Sequence, residues 1–101
     1  MKLVMVTVIE EFHNKVLELF KKAEINSFSE SDIEGFKRNS GLVEVSNWFS
    51  NDNQSVQSLL FFSFTEEHNV QKLFIEIEKF NSTLKTNSPI KAAVLPIEKF
   101  I

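Results

Sequence analysis

One hundred and one residues with a net charge of −3 and no cysteine fit a single domain with a modest core, and exclude disulfides and thiolate metal sites. Charges of both signs are interspersed, without the basic face of a nucleic-acid binder, so no nucleic-acid partner is expected. No run approaches the ~20 apolar residues of a membrane span, and the apolar start of the chain is shorter than a secretory signal. The expectation is a soluble cytoplasmic protein, not inserted in a membrane.

Residues 2–9, KLVMVTVI, read as a strand with Leu3, Met5, Thr7 and Ile9 on one face and Val4, Val6 and Val8 on the other. Both faces are largely apolar, which predicts cover on both sides. A helix follows over about 11–24, with Phe12, Val16, Leu19, Phe20 and Ala23 as its apolar stripe and Glu18–Lys22 as a surface pair. Residues 27–38, SFSESDIEGFKR, are polar and extended, with Ile33 and Phe36 too sparse for a buried strand; they read as an edge strand. Residues 56–65, VQSLLFFSFT, give the clearest strand: Leu60, Phe62 and Phe64 face one way, Leu59 and Phe61 the other. Thr65 is placed to cap the next helix, with Glu66 and Glu67 in its first turn. Val70, Leu73, Phe74, Ile77, Phe80 and Leu84 form that helix's stripe. Asn87, Ser88 and Pro89 break the chain, and residues 90–97, IKAAVLPI, make a last strand that Pro96 confines to an edge.

The order is β-α-β-β-α-β over residues 1–101. It predicts an α+β, ferredoxin-like fold: an antiparallel four-stranded sheet with two helices on one face. Two helices cover only one face, yet the strands at 2–9 and 56–65 are apolar on both. Self-association through the second face is the expected cover.

The connection at about 38–55 is long for a hairpin, and long loops in compact domains usually carry function. It holds the aromatic pair Trp48 and Phe49, which read either as a partner-binding tip or as packing against a neighbouring subunit. Both glycines of the chain, Gly35 and Gly41, lie in EGFKRNSG at the start of this connection, with Lys37 and Arg38 between them. Gly35 in a strand points to a bulge or to close approach by another chain or ligand. Gly41 permits a sharp exit into the loop. Backbone amides there, with Lys37 and Arg38, suit an anionic ligand in a groove between subunits.

The run INSFSESDIEGFKRNSG, residues 25–41, resembles the PII signal-transduction proteins. In that family a G-F-G-R-Q-x-G stretch ends the second strand and opens a long loop, the T-loop. Gly35, Phe36, Arg38 and Gly41 match it, while Lys37 replaces a glycine and Asn39 a glutamine. Length, element order and loop position agree along the whole chain. The resemblance implies a homotrimer that binds ATP or ADP between subunits. It also implies a T-loop that regulates a protein partner such as a membrane transporter or metabolic enzyme. Ser29 would stand near the adenine, with Gly35, Lys37, Arg38 and Asn39 on the phosphate side. The family's glycine-rich phosphate loop before the last strand is here KTNSPIK, in which Lys91 alone stands for its lysine. The paired arginines of the family's C-terminus have no counterpart, and no tyrosine is present to be uridylylated.

The two histidines, His13 and His68, sit near helix starts, beside Glu10 and Glu11 and beside Glu66 and Glu67. They keep open a second reading, a divalent-metal-binding trimer resembling the cation-tolerance proteins, although solvated surface positions are the simpler account. A third reading, a small enzyme, lacks a constellation. There is no G-x-S-x-G, no H-E-x-x-H and no cysteine nucleophile, and Arg38 is the only arginine. No catalytic residue is expected.

Overall fold

The computed structural model describes residues 1–36, 55–84 and 88–101. The elements are β1 (Lys2–Ile9), a 3₁₀ turn (Glu10–Phe12), α1 (His13–Lys22), β2 (Ser29–Phe36), β3 (Ser55–Thr65), α2 (Glu67–Thr83) and β4 (Lys91–Pro96). The four strands pair antiparallel in the order β2-β3-β1-β4. This is an α+β arrangement compatible with the ferredoxin-like βαββαβ fold. The strand at 29–36 and the strand ending at Pro96 are the two edges, as their polarity and proline predict.

The core lies between the sheet and the helices. Val4, Val6 and Val8 of β1 and Leu59 and Phe61 of β3 meet Val16, Leu19 and Phe20 of α1 and Val70, Leu73 and Ile77 of α2; all are buried. The stripes work because residues three and four apart share a helix face and alternate residues share a strand face. Phe20, Phe28 and Phe61 form an aromatic cluster, the closest pair with ring centroids 4.8 Å apart in an edge-to-face arrangement.

Three local devices set the joints. The end of α1 is a Schellman motif: the Ile25 N–H donates to the Phe20 carbonyl and the Glu24 N–H to the Lys21 carbonyl, each at 3.0 Å. Glu24 takes the left-handed position with φ 61°, where glycine is the usual occupant. The buried Asn69 amide donates to the Ala23 carbonyl at 3.0 Å, joining α2 to the end of α1. Asn81 clamps the entry to β4: its amide donates to the Ile90 carbonyl and its carbonyl accepts from the Ile90 N–H, both at 2.9 Å.

Two local expectations are corrected. Thr65 does not cap α2; it is the last residue of β3, and Glu66 takes the N-cap position without a side-chain capping bond. Gly35 does not mark a bulge: β2 runs in unbroken register against β3 from Ser29↔Phe62 to Phe36↔Ser55, with Gly35 opposite Val56.

Candidate functional site

The sheet face away from the helices carries three of the residues singled out in the sequence, Ser29, Gly35 and Lys91. Strand register places its residues in cross-strand rows. One row is Lys91, Thr7, Leu60 and Ser31; the next is Ala93, Met5, Phe62 and Ser29; a third is Leu95, Leu3 and Phe64. Ile9, Ser58 and Ile33 complete it on the far side. The centre is therefore apolar; its border is small or polar at Ser29, Ser31, Lys91 and Ala93 and apolar at Ile33 and Leu95. Leu3, Met5, Leu60 and Phe62 are half-buried, while Phe64 is 50% and Leu95 43% exposed. The chain's own tail reaches one end only: the Phe100 ring meets Phe64 edge-on at 5.5 Å and stays 56% exposed.

Within the half-buried centre, Thr7 is only 5% exposed, and its hydroxyl has no hydrogen-bond partner among the described residues. An unsatisfied buried hydroxyl is uncommon and costs about 1–3 kcal/mol.

Of the expected ligand contacts, Ser29 and Gly35 lie on β2 and Lys91 on β4, all on this open face. They are not brought together. The two strands are opposite edges of the sheet, three strand spacings apart, or about 14 Å. Lys37, Arg38, Asn39 and Gly41, and the loop aromatics Trp48 and Phe49, lie outside the described residues.

His13 stands on the other side of the sheet, as the first residue of α1. Its partner is neither Glu10 nor Glu11 but Glu30 of β2, whose carboxylate oxygens lie 2.9 and 3.1 Å from Nε2. Nδ1 lies 3.3 Å from Oδ1 of Asn14, and the ring stacks on Phe61 with centroids 5.8 Å apart. The hydrogen bond to Glu30 raises the His13 pKa above its ordinary 6.5. Desolvation of the ring works against this, while the bond to Asn14 and the charges of Glu30 and Asp32 add to it. Both ring nitrogens are engaged, so His13 serves as a clip between α1 and the β2 edge. A pairing across 17 residues leaves no local signal in the sequence. His68, the second residue of α2, is exposed. Among the described residues no group of three or more His, Asp or Glu side chains is arranged to hold a metal ion. None of their helices is long and apolar enough to cross a membrane.

Neither a protein-family model nor a curated protein matches this sequence.

Proposed function

We propose that the chain is a cytoplasmic regulatory homotrimer resembling the PII signal-transduction proteins. It binds rather than catalyses: a small anionic ligand, ATP or ADP in the first instance, sits between copies, and the connection from β2 to β3 engages a protein partner.

The observation that carries this reading is the apolar sheet face opposite the helices, with Leu3, Met5, Leu60, Phe62, Phe64, Ala93 and Leu95 in adjoining rows. Contiguous apolar surface of this kind marks an interaction site. An apolar centre is the usual layout of a protein interface, and here Ser29, Ser31 and Lys91 make part of the border polar. The placement of the ligand candidates supports the same reading. Ser29 and Gly35 on one edge and Lys91 on the other cannot contact one small ligand within a chain. A head-to-tail ring sets β4 of one copy beside β2 of the next and makes one composite cleft per boundary. The match of Gly35, Phe36, Arg38 and Gly41 to the family stretch selects an anion as the ligand.

The test is sedimentation of the purified chain combined with calorimetric titration with ATP and ADP. The expected result is a trimer with micromolar nucleotide affinity that Lys91→Ala weakens by about tenfold, the loss of one charge-assisted contact. A monomer at micromolar concentration refutes the assembly. A trimer indifferent to nucleotides refutes the ligand and leaves the assembly standing.

A further inference from the structure

A groove of about 440 Å³ lies on the helix side of the sheet, between α2 and the β4 edge. Its volume falls within the range of small-molecule sites, ~300–1,000 Å³. It is lined by Lys2 of β1, by Glu67, Val70, Gln71, Phe74 and Ile75 of α2, and by Val94 and Pro96 of β4. The α2 residues are spaced three, four, seven and eight positions beyond Glu67, so they form one helix face turned towards β4.

The lining is sorted by polarity. Lys2 pairs in register with Thr65 and Pro96, and Glu67 follows Thr65 by two positions, so both charges stand at the end where β3 passes into α2. From there the groove runs past Val70 and Val94 to Phe74 and Ile75, about 10 Å along the helix at 1.5 Å per residue. Among the described residues neither the Lys2 ammonium nor the Glu67 carboxylate has an ion-pair or hydrogen-bond partner. They are not paired with each other, although they line one groove. Elsewhere on the helix surface some lysines and glutamates are paired, as in Lys22–Glu18, Lys72–Glu24 and Lys79–Glu76.

One uncommitted cation and one uncommitted anion at the polar end of an apolar groove complement a ligand that carries both charges and an apolar body. We infer that this groove binds a free apolar α-amino acid. Its carboxylate meets Lys2, its ammonium meets Glu67, and its side chain lies between Val70, Phe74, Ile75 and Val94. A ligand with only one charge leaves the opposite group of the groove without a partner, and discrimination against it follows from that loss. All of its lining residues come from one chain, although Val94 and Pro96 lie on the β4 edge that the proposed ring sets beside the next copy.

The experiment is a titration of the full chain, followed by amide proton–nitrogen correlation spectra. The probes are L-leucine, L-phenylalanine, isocaproate (leucine without its amine) and isoamylamine (leucine without its carboxylate). Leucine is expected to bind with a dissociation constant on the order of 0.1–1 mM, as suits so small a ligand. Its shifts are expected at Val70, Gln71, Phe74, Ile75 and Val94. Lys2→Met and Glu67→Gln should each weaken leucine by about tenfold, and isocaproate should respond to Lys2→Met but not to Glu67→Gln. Both substitutions are at the surface, and each variant's own spectrum reports its fold. Three results would each overturn the proposal: no shifts with leucine or phenylalanine at about ten times that range, shifts that neither variant alters, or isocaproate binding as tightly as leucine. The last would make the groove a site for apolar anions instead.

Discussion

On the helix side of the central strands, Val4, Val6, Val8, Leu59 and Phe61 are at most 4% exposed. On the opposite side of the same strands, Leu3, Met5, Leu60 and Phe62 are half-buried, and Phe64 stands half out. Both faces are apolar, but among the described residues helices pack on only the first, through the stripes of α1 and α2, while the second meets the Phe100 ring at one end. On β2 the first face is bordered by Glu30, held by His13, and Asp32, and the second by Ser29 and Ser31. Apolarity alone therefore does not separate a core from an interface. The two faces differ in cover: the helices pack on the first, whereas on the second the Thr7 hydroxyl has no hydrogen-bond partner among the described residues.

The sharpest contrast is between neighbours on β3. Phe61→Ala should cost about 3–5 kcal/mol in urea unfolding, the usual penalty for emptying an aromatic core site. Phe62→Ala should cost the chain itself about 1–2 kcal/mol, in line with its partial burial. Its larger effect should fall on association, read as a lower sedimenting mass. Equal losses of stability at both positions would erase the distinction between the faces.

Asn81→Ala is expected to cost about 1–3 kcal/mol, because the buried Ile90 backbone loses both its partners. Hydrogen exchange at the Ile90 amide should accelerate alongside. On the open face, Thr7→Val removes the unpartnered hydroxyl at nearly constant shape and should raise the stability of the single chain by about 1 kcal/mol in chemical denaturation. If the assembly satisfies that hydroxyl across copies, the same change should weaken association. Glu24→Gly should add about 0.5–1 kcal/mol at the Schellman turn, seen as a higher melting temperature, since glycine occupies a positive φ without steric cost.

The smallest effect concerns His13. Its pKa is raised in the folded chain, so its contribution is fully present below the ordinary value of 6.5 and is lost as pH rises through the folded value. Stability should therefore decline slightly across the neutral range, and Glu30→Gln should flatten that decline. A chemical-shift titration of the His13 ring checks the direction directly.

Much of the fold is legible in the chain. Alternation along 2–9 and 56–65 gives both strand faces, and the spacing of Val16, Leu19 and Phe20 gives the buried side of α1. Pro96 and the polar run at 29–36 give the two edges. These are local signals, carried by periods of about two and 3.6 residues. What the sequence hides is long-range and polar. The His13–Glu30 clip, the Asn69 bond to Ala23 and the Asn81 clamp on Ile90 each depend on register between separate elements. The choice of Glu66 over Thr65 at the N-cap turns on how far the β3 ladder extends, which side-chain preference does not encode. The candidate ligand residues are legible as types but not as a site. Ser29, Gly35 and Lys91 share a face, yet only the sheet order reveals that they stand at opposite edges.

The most direct measurement is the mass of the chain in solution, by sedimentation equilibrium at micromolar concentration, for the natural sequence and for Phe62→Glu. The expected result is an assembly of three chains of 11.7 kDa each, reduced to single chains by a charge placed at the centre of the open face. A single chain of 11.7 kDa for the natural sequence, unchanged on concentration, would contradict the assignment of that face to self-association.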